Sequence, residues 1–161
     1  MTAQTPERLI YQDASLQLCS EPLAQFPGLM LPTWVYVMPN TALSRCYMGT
    51  WEIESDRLYL KKLQFWKQEN DVVTERGIED FFPGYPDGVF AHWYTGELRC
   101  PRSALLKYVH GGFHSVYEVD LFLRVQGGVL IGERIVRNGT AAPGTEAGYR
   151  INAMTSFISE D

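Results

Sequence analysis

The sequence predicts a mainly β domain: a curled antiparallel sheet, closed as a barrel or packed as a two-layer sandwich, with one or two short helices. Three observations predict it. Short apolar–polar alternations recur along most of the chain, and turn-forming residues separate them. Few stretches longer than ten residues repeat apolar residues at helical spacing. Aromatic residues make up 13% of the chain, and they favour pleated, half-buried surfaces.

The elements follow in chain order. Leu9–Tyr11 and Leu16–Leu18 flank Gln12-Asp13-Ala14 and read as a small hairpin. Thr33–Met38, bracketed by Pro32 and Pro39, is rich in β-branched and aromatic residues and reads as a strand. Tyr47–Ile53 and Leu58–Leu63 surround Glu54-Ser55-Asp56-Arg57, a hairpin with a four-residue loop. Thr74–Phe82 predicts a short helix ending before Pro83-Gly84. Val89–Cys100 predicts a long strand with a bulge at Gly96. Val89, Ala91 and Trp93 share one parity there, whereas Leu98 and Cys100 share the other.

Pro101–His110 predicts a second short helix, with proline in its first turn, Leu105, Tyr108 and Val109 on one side, and a stop at Gly111-Gly112. Val116–Val125 and Val129–Arg137 form the clearest hairpin, turning at Gln126-Gly127-Gly128. A short strand is expected near Tyr149–Ile151. No repeat or linker divides residues 1–161, so one domain is expected, with residues 1–8 and 138–161 as loosely packed ends.

Composition narrows the function classes. A net charge of -5 argues against nucleic acid as a partner, because such binders carry a basic excess. Cys19, Cys46 and Cys100 are widely spaced and form no CxxC pair. They read as free thiols of a reducing, cytoplasmic compartment rather than a disulfide framework or zinc site. Met1–Arg8 lacks the apolar core of a secretory signal, and no apolar run reaches the ~18 residues that span a bilayer. No membrane partner is expected, and the Asn138-Gly139-Thr140 sequon carries no expected role. Walker, GxGxxG, HExxH, GxSxG and DxDxDG motifs are absent, so the sequence implies no particular cofactor.

Three stretches carry a resemblance. They are Cys46–Leu60 (CYMGTWEIESDRLYL), Val89–Pro101 (VFAHWYTGELRCP) and Tyr108–Glu118 (YVHGGFHSVYE). Their order resembles that of a group of small, uncharacterised bacterial proteins with WEI…LYL, FAxWxxGxLRxP and YVHxGxxSxYE stretches. The resemblance covers roughly the middle half of the chain and implies no catalytic role.

Chemistry has three candidate locations. The stretch from His110 to Glu118 places imidazoles, the Ser115 hydroxyl, the Tyr117 phenol and a carboxylate within nine residues. His110 suits acid–base work with Glu118 orienting it. If the loop closes on itself, His110, His114 and Glu118 converge on one zinc, iron or manganese ion. The structural alternative is histidine favoured at a helix C-terminus, with Glu118 on the solvent parity of its strand. The second location groups His92, Trp93 and Tyr94 with Glu97 and Arg99, either lining a ligand cavity or forming a second small core under a loop. The third is Glu52, between Trp51 and Ile53. It is expected to be exposed, or to pair with an arginine on a neighbouring strand.

Two functions remain open. One is a non-enzymatic domain that recognises a protein partner or small ligand through an aromatic-rich surface or cavity. The other is a small hydrolase or lyase using His110.

Overall fold

A computed structural model describes residues 3–27, 38 and 40–140. Four two-residue turns set its strand order. They are Gln12-Asp13, Ser55-Asp56, Asn70-Asp71 and Gly127-Gly128, and both residues of each have positive φ. Such turns match the right-handed twist of the strands they join, and short polar side chains tolerate the left-handed conformation. They connect β1 (Glu7–Tyr11) to β2 (Ala14–Leu18), β3 (Tyr47–Glu54) to β4 (Arg57–Glu69), β4 to β5 (Val72–Arg76), and β8 (Val116–Gln126) to β9 (Val129–Arg137).

With β6 (Val89–Phe90) and β7 (Gly96–Lys107), the nine strands among the described residues make one sheet whose main path runs β2-β1-β3-β4-β9-β8-β7. Strands β5 and β6 pair with β4 off this path. The sheet is mixed but mostly antiparallel, because β1 runs parallel to β3 with Leu9 opposite Trp51. Among the described residues, no ladder closes it. Its two end strands nevertheless meet: Cys19 N–H donates to Arg99 O at 2.8 Å, and Arg99 N–H donates to Ser20 Oγ at 3.0 Å.

The buried face holds Leu9, Leu18, Trp51, Leu58, Leu60, Leu98, Cys100 and Leu123, all without exposed surface. Trp51 is the largest of these. Trp93 extends the core as an aromatic group. Its ring stacks on Phe82 at 6.0 Å and meets Phe26 edge-on at 4.9 Å, and its Nε1–H donates to Pro22 O at 2.9 Å.

Several expectations change. Pro101–His110 is not a helix, because β7 runs on through Lys107. Proline is tolerated there because β7 ends the strand order. Ser103 takes φ 68°, and the register with β8 breaks twice between Arg102 and Lys107. That bulging mixes buried and half-buried side chains on both parities and mimics a helical pattern.

Thr74–Phe82 divides between strand β5 and the single helical turn α1 (Ile78–Phe81), whose Gly77 N–H donates to the Asp80 carboxylate at 3.1 Å. Val89–Cys100 is interrupted by turns over residues 91–95 rather than by a bulge at Gly96. The loop between β3 and β4 has two residues, not four. Of residues 1–8, the described ones pack against the sheet, with Ala3, Thr5 and Glu7 buried. Of Thr33–Met38, only exposed Met38 is among the described residues, and Tyr149–Ile151 lies outside them.

Candidate functional site

Strand β9 carries the most unusual surface. Directly opposed residues of an antiparallel pair share a face. Leu121 opposes Ile135 and Leu123 opposes Glu133, so Ile135 and Glu133 point to the side on which Leu121 and Leu123 are buried. Yet Ile135 is 52% exposed. The cause is topological. β9 pairs with β4 only at Arg57–Val129, and no other described strand pairs with that edge. Ile131, beside the register shift in the β8–β9 ladder, is also 52% exposed, whereas exposed Val129, opposite Gln126, lies on the other face.

One contact spans the opening. Tyr11, the last residue of β1, donates its phenol hydrogen to Glu133 Oε2 at 2.8 Å. Burial pushes the phenol up to about 12, assisted by its hydrogen bond to Glu133 and by the negative charges of Glu133 and Asp56. The arrangement is an apolar strip with an acidic, hydrogen-bonded centre.

The stretch from His110 to Glu118 is organised by Arg99. Its Nε bonds Asp120 Oδ1 at 2.9 Å, Nη1 donates to Phe113 O, and Nη2 donates to Ser115 O at 2.8 Å. Asn138 Nδ2 donates to the other Asp120 oxygen at 3.0 Å. Ser115 is buried, and its Oγ accepts from Val109 N–H at 3.0 Å, which makes it a loop tie. Tyr117 is buried on the core face.

His110 is exposed, and its Nδ1 lies 2.7 Å from the Tyr108 hydroxyl. Glu118 accepts from Ala104 N–H at 3.4 Å. Among the described residues, His110 and Glu118 share no hydrogen bond. No group of three or more histidines, cysteines or acids there is placed to hold a metal ion, so His110, His114 and Glu118 do not converge as a metal site.

The second predicted grouping is brought together only in part: the His92 and Trp93 rings meet edge-on at 5.5 Å. His92 is exposed, Trp93 belongs to the aromatic group, and buried Tyr94 donates to Glu97 O at 3.0 Å. Glu97 takes two hydrogen bonds of 2.8 Å from Arg134, whose guanidinium lies 4.2 Å from the Phe122 ring centroid. Those bonds hold the carboxyl below the usual range. Trp51 is core, and half-buried Glu52 stands opposite Tyr59 in the ladder.

Sequence reasoning missed Glu7 and Arg45. Glu7 is wholly buried and accepts from Trp51 Nε1–H at 2.6 Å. Arg45 Nε lies 2.9 Å from Glu7 Oε2 but out of line for a hydrogen bond. The Arg45 side chain is 6% exposed, sits 5.6 Å from the Tyr47 ring centroid and donates from Nη2 to Met48 Sδ at 3.4 Å. Among the described residues, buried Thr5 Oγ1, Glu7 Oε2, Arg45 Nε and Arg45 Nη1 find no aligned hydrogen-bond partner.

Burial pushes Glu7 up to about 7. The charge of Arg45 and the Trp51 bond oppose the rise, and the charge of Glu21 adds to it. A signal was present in the pattern: Glu7 falls on the apolar parity with Leu9 and Tyr11.

Nearby, Ala3, Gln4, Pro6, Cys19, Gly112 and Phe113 border a cleft of about 20 Å³, room for a single water. Burial pushes the Cys19 thiol up to about 12.

No family model matches this sequence, and no curated protein or solved structure matches it. Among the described residues, no helix is long and apolar enough to cross a membrane.

Proposed function

We propose that this domain is a non-enzymatic interaction module that receives an extended segment of a partner polypeptide along β9. The observation that carries the reading is the core-facing side chain of Ile135, left 52% exposed on a strand whose outer edge is unpaired among the described residues. A free edge offers a row of backbone donors and acceptors, and the adjoining apolar side chains supply selectivity. Ile131 and Ile135 would hold apolar residues of the segment, with the Tyr11–Glu133 pair at the centre.

The stretches that resemble small bacterial proteins fall on β3–β4, on β6–β7 and on the loop leading into β8. They build the scaffold beside β9. The competing reading, a small hydrolase or lyase using His110 with Glu118, draws support from the close Tyr108–His110 contact on the protein surface.

The test places a photo-crosslinking residue at Ile135, with Val72 on exposed β5 as control, in cells that make the protein. A defined polypeptide adduct at Ile135 and none at Val72 is expected, with a synthetic peptide from the adduct site competing. Equal adducts at both positions would refute β9 as the recognition surface.

A further inference from the structure

We propose that Glu7 and Arg45 form a proton-operated latch that holds residues 3–6 on the sheet. The segment is fastened at two backbone points: Gln4 N–H donates to Gly112 O at 2.8 Å, and Thr5 N–H donates to Ala42 O at 2.7 Å. Between these points and the rest of β1 sits Glu7, whose side chain has no exposed surface.

Its setting is finely balanced. Trp51 Nε1–H satisfies one carboxyl oxygen, whereas the other faces Arg45 without an aligned hydrogen bond. The charged or titratable groups around it are Arg45 from the loop before β3, Tyr47 from β3 and Glu21 following β2. Arg45 is the one cation paired with the buried Glu7 among the described residues, and the charge of half-buried Glu21 works against it, so an ionised Glu7 is only partly compensated.

The direction follows by linkage. Burial raises the folded-state value of Glu7 from 4.5 to about 7, so the closed segment holds the proton more tightly than the open one. Closure is most favoured below pH 4.5 and loses that advantage as pH rises through 7. Above it, the segment opens more often, hydrating Glu7 and uncovering the cleft beside Cys19 and Phe113.

Amide hydrogen exchange at Gln4 and Thr5, corrected for the intrinsic pH dependence, tests the latch in the intact protein. Protection should fall about tenfold between pH 6 and pH 8, the change expected for a group titrating at about 7 closed and 4.5 open. Glu7→Gln should abolish the pH dependence while keeping an acceptor for Trp51. Arg45→Met removes the favourable charge and should move the transition to higher pH, so the latch remains testable if the glutamine variant does not fold. His110→Gln with His114→Gln controls for histidines in the loop that Gln4 contacts, and the pH dependence should persist. Constant protection in the parent protein, an unchanged transition in both the Glu7 and Arg45 variants, or its loss in the histidine variant would overturn the proposal.

Discussion

Gly49→Ala is the most revealing single substitution in this fold. A Cβ at that position would lie 2.5 Å from Glu7 Oε1 and 2.8 Å from Trp51 Nε1, the two atoms of the 2.6 Å hydrogen bond. A carboxylate at the end of a mobile side chain would simply step aside. Glu7 has no such freedom, because its side chain is wholly enclosed and Arg45 stands against its other oxygen. Overpacking a filled interior costs ~1–3 kcal/mol. Breaking a hydrogen bond that involves a chargeable group costs ~1.5–3 kcal/mol more. Together they give a loss of about 3 kcal/mol or somewhat more. In a chain of this length that lowers the melting midpoint by roughly 6–12 °C.

Urea unfolding at pH 6, followed by tryptophan fluorescence, measures the loss. The same substitution in a Glu7→Ala background should cost at least ~1 kcal/mol less, since the closer of the two clashes is then gone and only the Trp51 contact remains. A loss below ~1 kcal/mol in the parent, or strict additivity in the double variant, would refute the close packing argued for Gly49, Glu7 and Trp51.

Two further outcomes follow from described contacts. Tyr11→Phe should remove one late phenol titration near 12 from the NMR spectrum of labelled tyrosines, and Glu133→Gln should bring that phenol back toward 10; an unchanged titration would disprove the Tyr11–Glu133 contact. Arg99→Gln severs the Asp120 pair and both carbonyl bonds, at a cost of about 2 kcal/mol for this partly exposed group. A melting point within ~1 °C of the parent would show that Arg99 does not organise the loop.

The hairpins were legible because strict alternation and short polar turn residues signal one register. Val116–Gln126 displays the alternation, with Phe122 as its exception, and Gly127-Gly128 supplies the turn. The bulged half of β7 was not legible as strand. Pro101 in front and Leu105 to Val109 behind imitate a helix, and only the ladder with β8 shows that Ser103 absorbs the irregularity. The candidate surfaces were less legible still. The exposure of Ile135 depends on β9 leaving β4 after a single paired position, which is a property of the whole sheet. Glu7 and Arg45 lie 38 positions apart in sequence and become neighbours only when β1 pairs with β3. Ser115 and Arg99 illustrate the reverse case, residues with reactive or charged groups that the fold spends on backbone carbonyls and amides.

The parallel pairing of β1 with β3 also orders events in time. The β3–β4–β5 and β7–β8–β9 ladders join strands that follow one another along the chain, so each closes small loops, which is fast. The β1–β2 hairpin joins these two groups, touching β3 on one side and β7 on the other, with Cys19 meeting Arg99 across 80 residues. The β1–β2 hairpin is made before β3 and β7, so it waits for both its neighbours. Until β7 is made, its apolar side chains Leu9 and Leu18 lack the second wall of their core, which leaves this hairpin open to aggregation during synthesis.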